Sequence, residues 1–137
     1  MAGKSAADMV AEAKQHIENL TPEQVTQEID QGDAVLVDLR DSEERLQNGS
    51  IAGSVHLPRG MLEFYADPSS SSHRPELDPS RRVILHCASG GRSALAAKTL
   101  QEMGYGRVAH LDGGINAWKE AGQPVEGGQS PPGLPLN

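Results

Sequence analysis

Residues 82–97, Arg82-Val83-Ile84-Leu85-His86-Cys87-Ala88-Ser89-Gly90-Gly91-Arg92-Ser93-Ala94-Leu95-Ala96-Ala97, constrain the fold of this chain more than any other stretch. The apolar, β-branched run from Val83 to Leu85 suits a buried strand. The small-residue run from Ser93 onward suits a helix. Between them a cysteine closes the strand, and two glycines and an arginine lead into the helix. Cys87 is the only cysteine in the protein.

This order of residues favours a particular shape. A loop that leaves a strand and enters a helix can turn several N–H groups toward its own centre, and the first N–H groups of the helix lack intrahelical partners. Gly90 and Gly91 are expected to supply the positive φ that a curled nest of amides requires. Arg92 adds a permanent charge and a planar fork of donors. A thiol at such a cup ionises more readily, because amide dipoles, the helix terminus and Arg92 stabilise the thiolate. Cys87 is therefore the candidate nucleophile, with Ala88, Ser89, Gly90, Gly91 and Arg92 as the candidate anion-binding residues. The competing reading is a buried structural thiol, since free cysteine is among the most buried residue types. The Ser-Gly-Gly-Arg that follows at a helix start argues for the nucleophile. His86 is no partner for it: neighbours on a strand point to opposite faces, so His86 is expected to be structural.

The rest of the chain frames that loop. Its 137 residues suit one domain. A net charge of −7 argues against a nucleic-acid partner, and no apolar segment is long enough for a membrane span. A single cysteine excludes an intramolecular disulfide. Met9, Val10, Ala13 and Ile17 recur at helical spacing within residues 1–19, which predicts an amphipathic helix packed on its own domain. Acidic residues there rule out a secretory signal, so a cytoplasmic location is the expectation. Thr21-Pro22-Glu23-Gln24 predicts a capped helix that carries Val25 and Ile29 inward and stops at Gly32. A strand over Ala34–Val37 follows, then Asp38 and Arg40, assigned as structural hydrogen-bonding groups. Ser42 is expected to cap a short acidic helix, and Ser54–Leu57 to form a second strand. Residues 59–82 are long and irregular, with one helical turn over Met61–Tyr65.

Beyond the cysteine loop, a helix bearing Leu95, Thr99, Leu100 and Met103 ends at Gly104, and Val108–Leu111 forms another strand. A last helix carries Ile115 and Trp118 to Gly122. The five histidines show no metal-ligand spacing, and neither a metal nor another cofactor is expected. Strands alternating with helices predict an α/β fold with a mostly parallel sheet, whose binding sites lie outside the carboxyl ends of the strands. Arg59, following the strand that ends at Leu57, would emerge on the same rim as Cys87 and is a candidate substrate contact. Phe64 or Tyr65 would form an apolar wall there.

Three segments together resemble the rhodanese (sulfurtransferase) family. Cys87-Ala88-Ser89-Gly90-Gly91-Arg92 looks like its six-residue active-site loop. Val35-Leu36-Val37-Asp38-Leu39-Arg40, with Gly49–Ser54 and Leu57-Pro58 downstream, resembles its N-terminal signature; Ser50 stands where the family usually has histidine. Leu111–Trp118, followed by Gly122-Gln123-Pro124-Val125, resembles its C-terminal signature. The resemblance implies a rhodanese-like three-layer α/β fold, with about five strands in a central, mostly parallel sheet and helices on both faces. It covers the domain (17–126); the helical spacing ahead of it marks an N-terminal helical extension (1–16), and the Gly, Ser and Pro that follow mark a tail expected to be disordered (127–137). It also implies transfer of sulfane sulfur from thiosulfate or another small anionic donor, through a Cys87 persulfide, to an external acceptor. Cyanide, a thiol or a thioredoxin-like protein would serve as acceptor, since no second cysteine can resolve the persulfide.

Two rivals stand beside this reading. A cysteine-dependent phosphatase or arsenate reductase shares the logic of the loop. The four residues between Cys87 and Arg92 are one fewer than in the tyrosine-phosphatase signature, which leaves a cup cramped for tetrahedral phosphate. The other rival is a non-catalytic module that senses reactive sulfur or binds a partner.

Overall fold

The computed structural model describes residues 3–128; the expected disordered tail lies outside these from residue 129 on. Five strands, β1 (Glu18–Leu20), β2 (Ala34–Asp38), β3 (Val55–His56), β4 (Arg82–His86) and β5 (Val108–Leu111), form one sheet in the order β1-β5-β4-β2-β3. Every pairing is parallel. The helices are α1 (Ala6–His16), α2 (Pro22–Gln31), α3 (Ser42–Asn48), α4 (Leu62–Ala66), α5 (Gly91–Glu102) and α6 (Gly114–Glu120).

Strand alternation sorts the core into two layers. Val35, Val37, Val83, Leu85 and Val108 face one side, where α1, α4 and α5 cover them with Ala13, Leu62, Ala97 and Leu100. Leu36, Ile84, Ala109 and Leu111 face the other, against Val25 of α2 and Ile115 and Trp118 of α6. Strands buried on both faces read as continuous apolar runs, which is why β2 and β4 were legible. The three layers expected of the family are present.

Local chemistry sets the helix ends. Thr21 Oγ1 accepts from the Gln24 amide at 3.2 Å, while Gln24 Oε1 accepts from the Thr21 amide at 2.9 Å. This reciprocal cap starts α2 as expected, and Gly32 closes it at φ +83°. The cap of α3 is Asp41, not Ser42: Asp41 and Glu44 satisfy each other's amides, and Ser42 is the first helical residue. The second strand shrinks from Ser54–Leu57 to Val55–His56, because the Ser54 amide turns back to Ile51 O at 3.1 Å. β1 was not foreseen; it joins the sheet edge beside β5. Within the expected 1–16 extension, α1 packs on the rest of the chain, with Ala13 fully buried and the Gln101 side chain donating to His16 O at 2.9 Å.

At the other end of the sheet, Arg82 ties α2 to β1. Its guanidinium grips both Glu28 oxygens at 2.8 Å and both Glu18 oxygens at 2.7 and 2.8 Å. Among the described residues no helix is long and apolar enough to cross a membrane.

Candidate active site

The chain leaves β4 at His86, and Cys87 stands just past the carboxyl end of the sheet. Parity puts Cys87 on the α5 side and His86 on the opposite side. There the His86 ring is fully buried, with Nε2 3.7 Å from Asp38 Oδ2 and Nδ1 3.3 Å from the Cys87 carbonyl oxygen. His86 is thus structural, as expected; burial lowers its pKa from the ordinary imidazole range. Asp38 and Arg40 are structural as well. Arg40 Nε and Nη2 hold Asp38 at 3.1 and 2.9 Å, and Arg40 also donates to Gly49 O at 2.7 Å. Arg45 adds a second cation on Asp38 at 2.6 Å. Burial alone would push the Asp38 carboxyl up, but the hydrogen bonds from Arg40 hold it down to about 2.

The turn after Cys87 is shaped from both sides. Gly90 adopts φ +102°, and α5 begins at the next residue. Gly91, also expected at positive φ, is instead the first residue of α5 and takes ordinary backbone angles. One left-handed residue suffices for the turn, since helix geometry takes over directly after it. From across the loop, the N-terminus of α6 claims its carbonyls: the Ile115 amide donates to Cys87 O at 2.9 Å and the Asn116 amide to Ala88 O at 3.1 Å. With its carbonyls drawn toward α6, the loop has its amides left over. Those of Gly90 and Ser93 donate to Cys87 Sγ at 3.2 and 3.4 Å. Those of Ala88 and Ser89 meet no acceptor among the described residues, and those of Gly91 and Arg92 lie in the first turn of α5. Cys87 is 1% exposed, yet its sulfur lies among amide donors and a hydroxyl.

Arg92 is held outside the turn. Its Nη1 and Nη2 meet both oxygens of Glu44, on α3, at 2.7 and 2.8 Å in a fork-to-fork pair. That pair holds the Glu44 carboxyl down to about 2 and raises the Arg92 pKa, with a smaller contribution from the Cys87 charge. Arg92 is thus a charge beside the sulfur, kept in place by α3. Arg59 lies elsewhere: it pairs with Glu63 at 2.9 Å and lines a cavity of about 350 Å³ with Met9, Leu95 and Lys98. None of residues 87–92 lines that cavity. Phe64 is 55% exposed, while Tyr65 packs on the core with the Arg74 guanidinium 6.0 Å from its ring centre.

Three groups that sequence reasoning missed join the site. Ser93 Oγ is 3.5 Å from Cys87 Sγ and 2.9 Å from His110 Nδ1, and His110 Nε2 is 2.7 Å from Asn19 Oδ1. Ser93 and His110 are fully buried, and burial holds the imidazole down to about 4. Glu44 is the third, and the signal for it was present in the Asp41–Glu44 capping-box spacing. For His110 no local signal exists, since only the β4–β5 register brings it beside Leu85 and so beneath the loop.

The rhodanese-like domain model matches residues 21–121. The chain belongs to the rhodanese-like family. An Allochromatium vinosum sulfurtransferase is 36% identical over 96 residues, which cover 70% of this chain and 81% of that protein. The thiosulfate sulfurtransferase GlpE of Actinobacillus succinogenes is 33% identical over 107 residues, covering 78% and 88%. Among solved structures, a Rhodopseudomonas palustris protein of unknown function, described as a possible tyrosine phosphatase, superposes with a TM-score of 0.85 at 41% identity. That match covers 92% of this chain and 97% of the other. The Cys87–Arg92 turn falls within the matched residues, and α6 is the element that buttresses it.

Proposed function

We propose that the chain moves sulfane sulfur from thiosulfate or another persulfide-type donor to cyanide or a thiol, through a persulfide on Cys87. The observation that carries this reading is the sulfur at the end of β4, receiving two amide N–H groups with further unpaired amides beside it. The Cys87 thiolate attacks the outer sulfur of thiosulfate. A new S–S bond forms, the bond to the sulfonate sulfur breaks, and sulfite leaves with the electron pair. The outer sulfur of the persulfide then carries the negative charge, stabilised by the loop amides of residues 88–92 and by Arg92. An external nucleophile takes that sulfur and regenerates the thiolate, so the kinetics are ping-pong. Because Cys87 is the only cysteine, the acceptor thiol comes from outside, from a small thiol or a thioredoxin-like protein.

A phosphatase is the second reading, favoured by the description of the Rhodopseudomonas palustris relative. The short loop weighs against it, with four residues between Cys87 and Arg92. Steady-state assays separate the two. Thiocyanate formation from thiosulfate and cyanide, lost in Cys87→Ser, is the expected result. Turnover of an aryl phosphate without thiocyanate formation would replace it with the phosphatase.

A further inference from the structure

The chain Cys87–Ser93–His110–Asn19, buried from Cys87 to His110 and ending on the exposed Asn19, has a direction, and that direction follows from its outer end. Asn19 donates its Nδ2 hydrogens to the carbonyls of Lys14 and Ile17 at 3.0 and 3.2 Å. Two carbonyl partners fix the amide orientation, so Oδ1 is the atom that faces His110 Nε2 at 2.7 Å. An oxygen acceptor there requires the proton of the neutral imidazole to sit on Nε2, leaving Nδ1 as a lone pair. Nδ1 in turn takes the hydroxyl hydrogen of Ser93 at 2.9 Å, closer than the alternative acceptor, Gly90 O, at 3.3 Å. What Ser93 then presents to Cys87 Sγ is an oxygen lone pair, matched to a thiol S–H and not to a thiolate.

We propose that His110 is a positioning residue that turns the Ser93 hydroxyl away from Cys87, so that the loop amides favour the thiolate while the Asn19–His110–Ser93 chain favours the thiol. A hydroxyl beside a reactive cysteine stabilises the anion when it donates to it; here neutral His110 holds that donor. Ionised Cys87 faces a lone pair at 3.5 Å, or draws the hydroxyl back and leaves His110 Nδ1 buried without a partner. Protonated His110 would reverse the chain, with Nδ1 donating to Ser93 and Ser93 donating to the sulfur. The groups that bear on this balance are few. Lys14 of α1 and Asp112 at the end of β5 flank His110 and pair with each other at 2.9 Å, and Arg92 of α5 lies near Cys87. Asn19 of β1 is uncharged, and His86 lies on the far side of the sheet.

The inference rests on Cys87 being the reacting group, but not on the identity of the sulfur donor. Its test reads ionisation with no donor present, so a protein inactive toward thiosulfate could still pass it. The probe is iodoacetamide, with the rate of Cys87 alkylation followed against pH. His110→Phe removes the acceptor while filling the space, and Asn19→Asp favours the imidazolium. Both are expected to lower the pH midpoint by about one unit, roughly 10-fold faster alkylation well below the midpoint. Adding Ser93→Ala to His110→Phe should erase that fall, since the freed hydroxyl is what produces it. Asn19→Asp keeps the imidazole but gives up the hydrogen bonds to the Lys14 and Ile17 carbonyls, so the two variants are read together, and an unchanged or raised midpoint in both would overturn the proposal. So would a lowered midpoint that persists without the Ser93 hydroxyl.

Discussion

A carboxylate with no exposed surface survives at Asp38 only because cations surround it. Arg40, itself fully buried, grips both of its oxygens, and Arg45 reaches one of them. Removing one partner of such a pair leaves an uncompensated buried charge. Arg40→Met is therefore expected to cost about 3–5 kcal/mol in denaturant unfolding, far more than a surface arginine. Buried histidines set the acid side of the stability profile. His110 titrates at about 4 in the fold, below the ordinary value of 6.5, so the unfolded chain binds the proton first. Stability is therefore expected to fall as the pH drops from about 6.5 to 4, by up to ~3 kcal/mol from this residue. His86 adds to the same slope, being lowered by burial as well. Asp38 extends the loss further, because its contribution is complete above its ordinary 3.8 and disappears as the pH falls through about 2. Unfolding midpoints across this range should be flatter in His110→Gln; an equally steep profile would mean that His110 is not the titrating group.

At the scale of elements, α6 gives the Cys87 loop its shape. Gly114 opens that helix at φ +62°, and a Cβ there would lie 2.4 Å from Ala88 O and 2.5 Å from Cys87 O. Only glycine permits helix and loop to approach so closely, and the approach allows Ile115 and Asn116 to draw the loop carbonyls away from the sulfur. Gly114→Ala is expected to destabilise by more than 2 kcal/mol and to abolish Cys87 reactivity toward thiosulfate. Gly122→Ala is the control: it shares the positive φ but meets nothing within 4 Å, so it should cost only ~1 kcal/mol and leave reactivity unchanged. The α3–α5 contact is the second element-scale device, since Glu44 fixes the guanidinium of Arg92. Arg92→Lys keeps the charge but loses the fork, and should slow sulfur loading roughly 10-fold. Loading as fast as in the parent would remove Arg92 from the mechanism.

Over the whole molecule, what the sequence revealed depended on how local each cause was. Cys87, Gly90 and the start of α5 lie within a few residues of one another, and local backbone chemistry fixes them. The doubly buried strands β2 and β4 were legible because both of their faces are apolar. β1 was not, since only Leu20 of its three residues is buried, and three residues carry no usable alternation. Ser93, His110 and Asn19 meet only through the pairings Leu85 with His110 and Asn19 with His110, which are tertiary facts. Arg59 illustrates the reverse: topology predicts its rim, but its ion pair with Glu63 and the cavity beside Leu95 set where its side chain lies. These parts serve one claim, that the fold presents a single sulfur to an anionic donor and carries the transferred atom on it. Intact-mass measurement after incubation with thiosulfate tests this most directly. The account predicts a gain of one sulfur atom, released by cyanide and absent in Cys87→Ser; an unchanged mass, or a gain that survives Cys87→Ser, would contradict it.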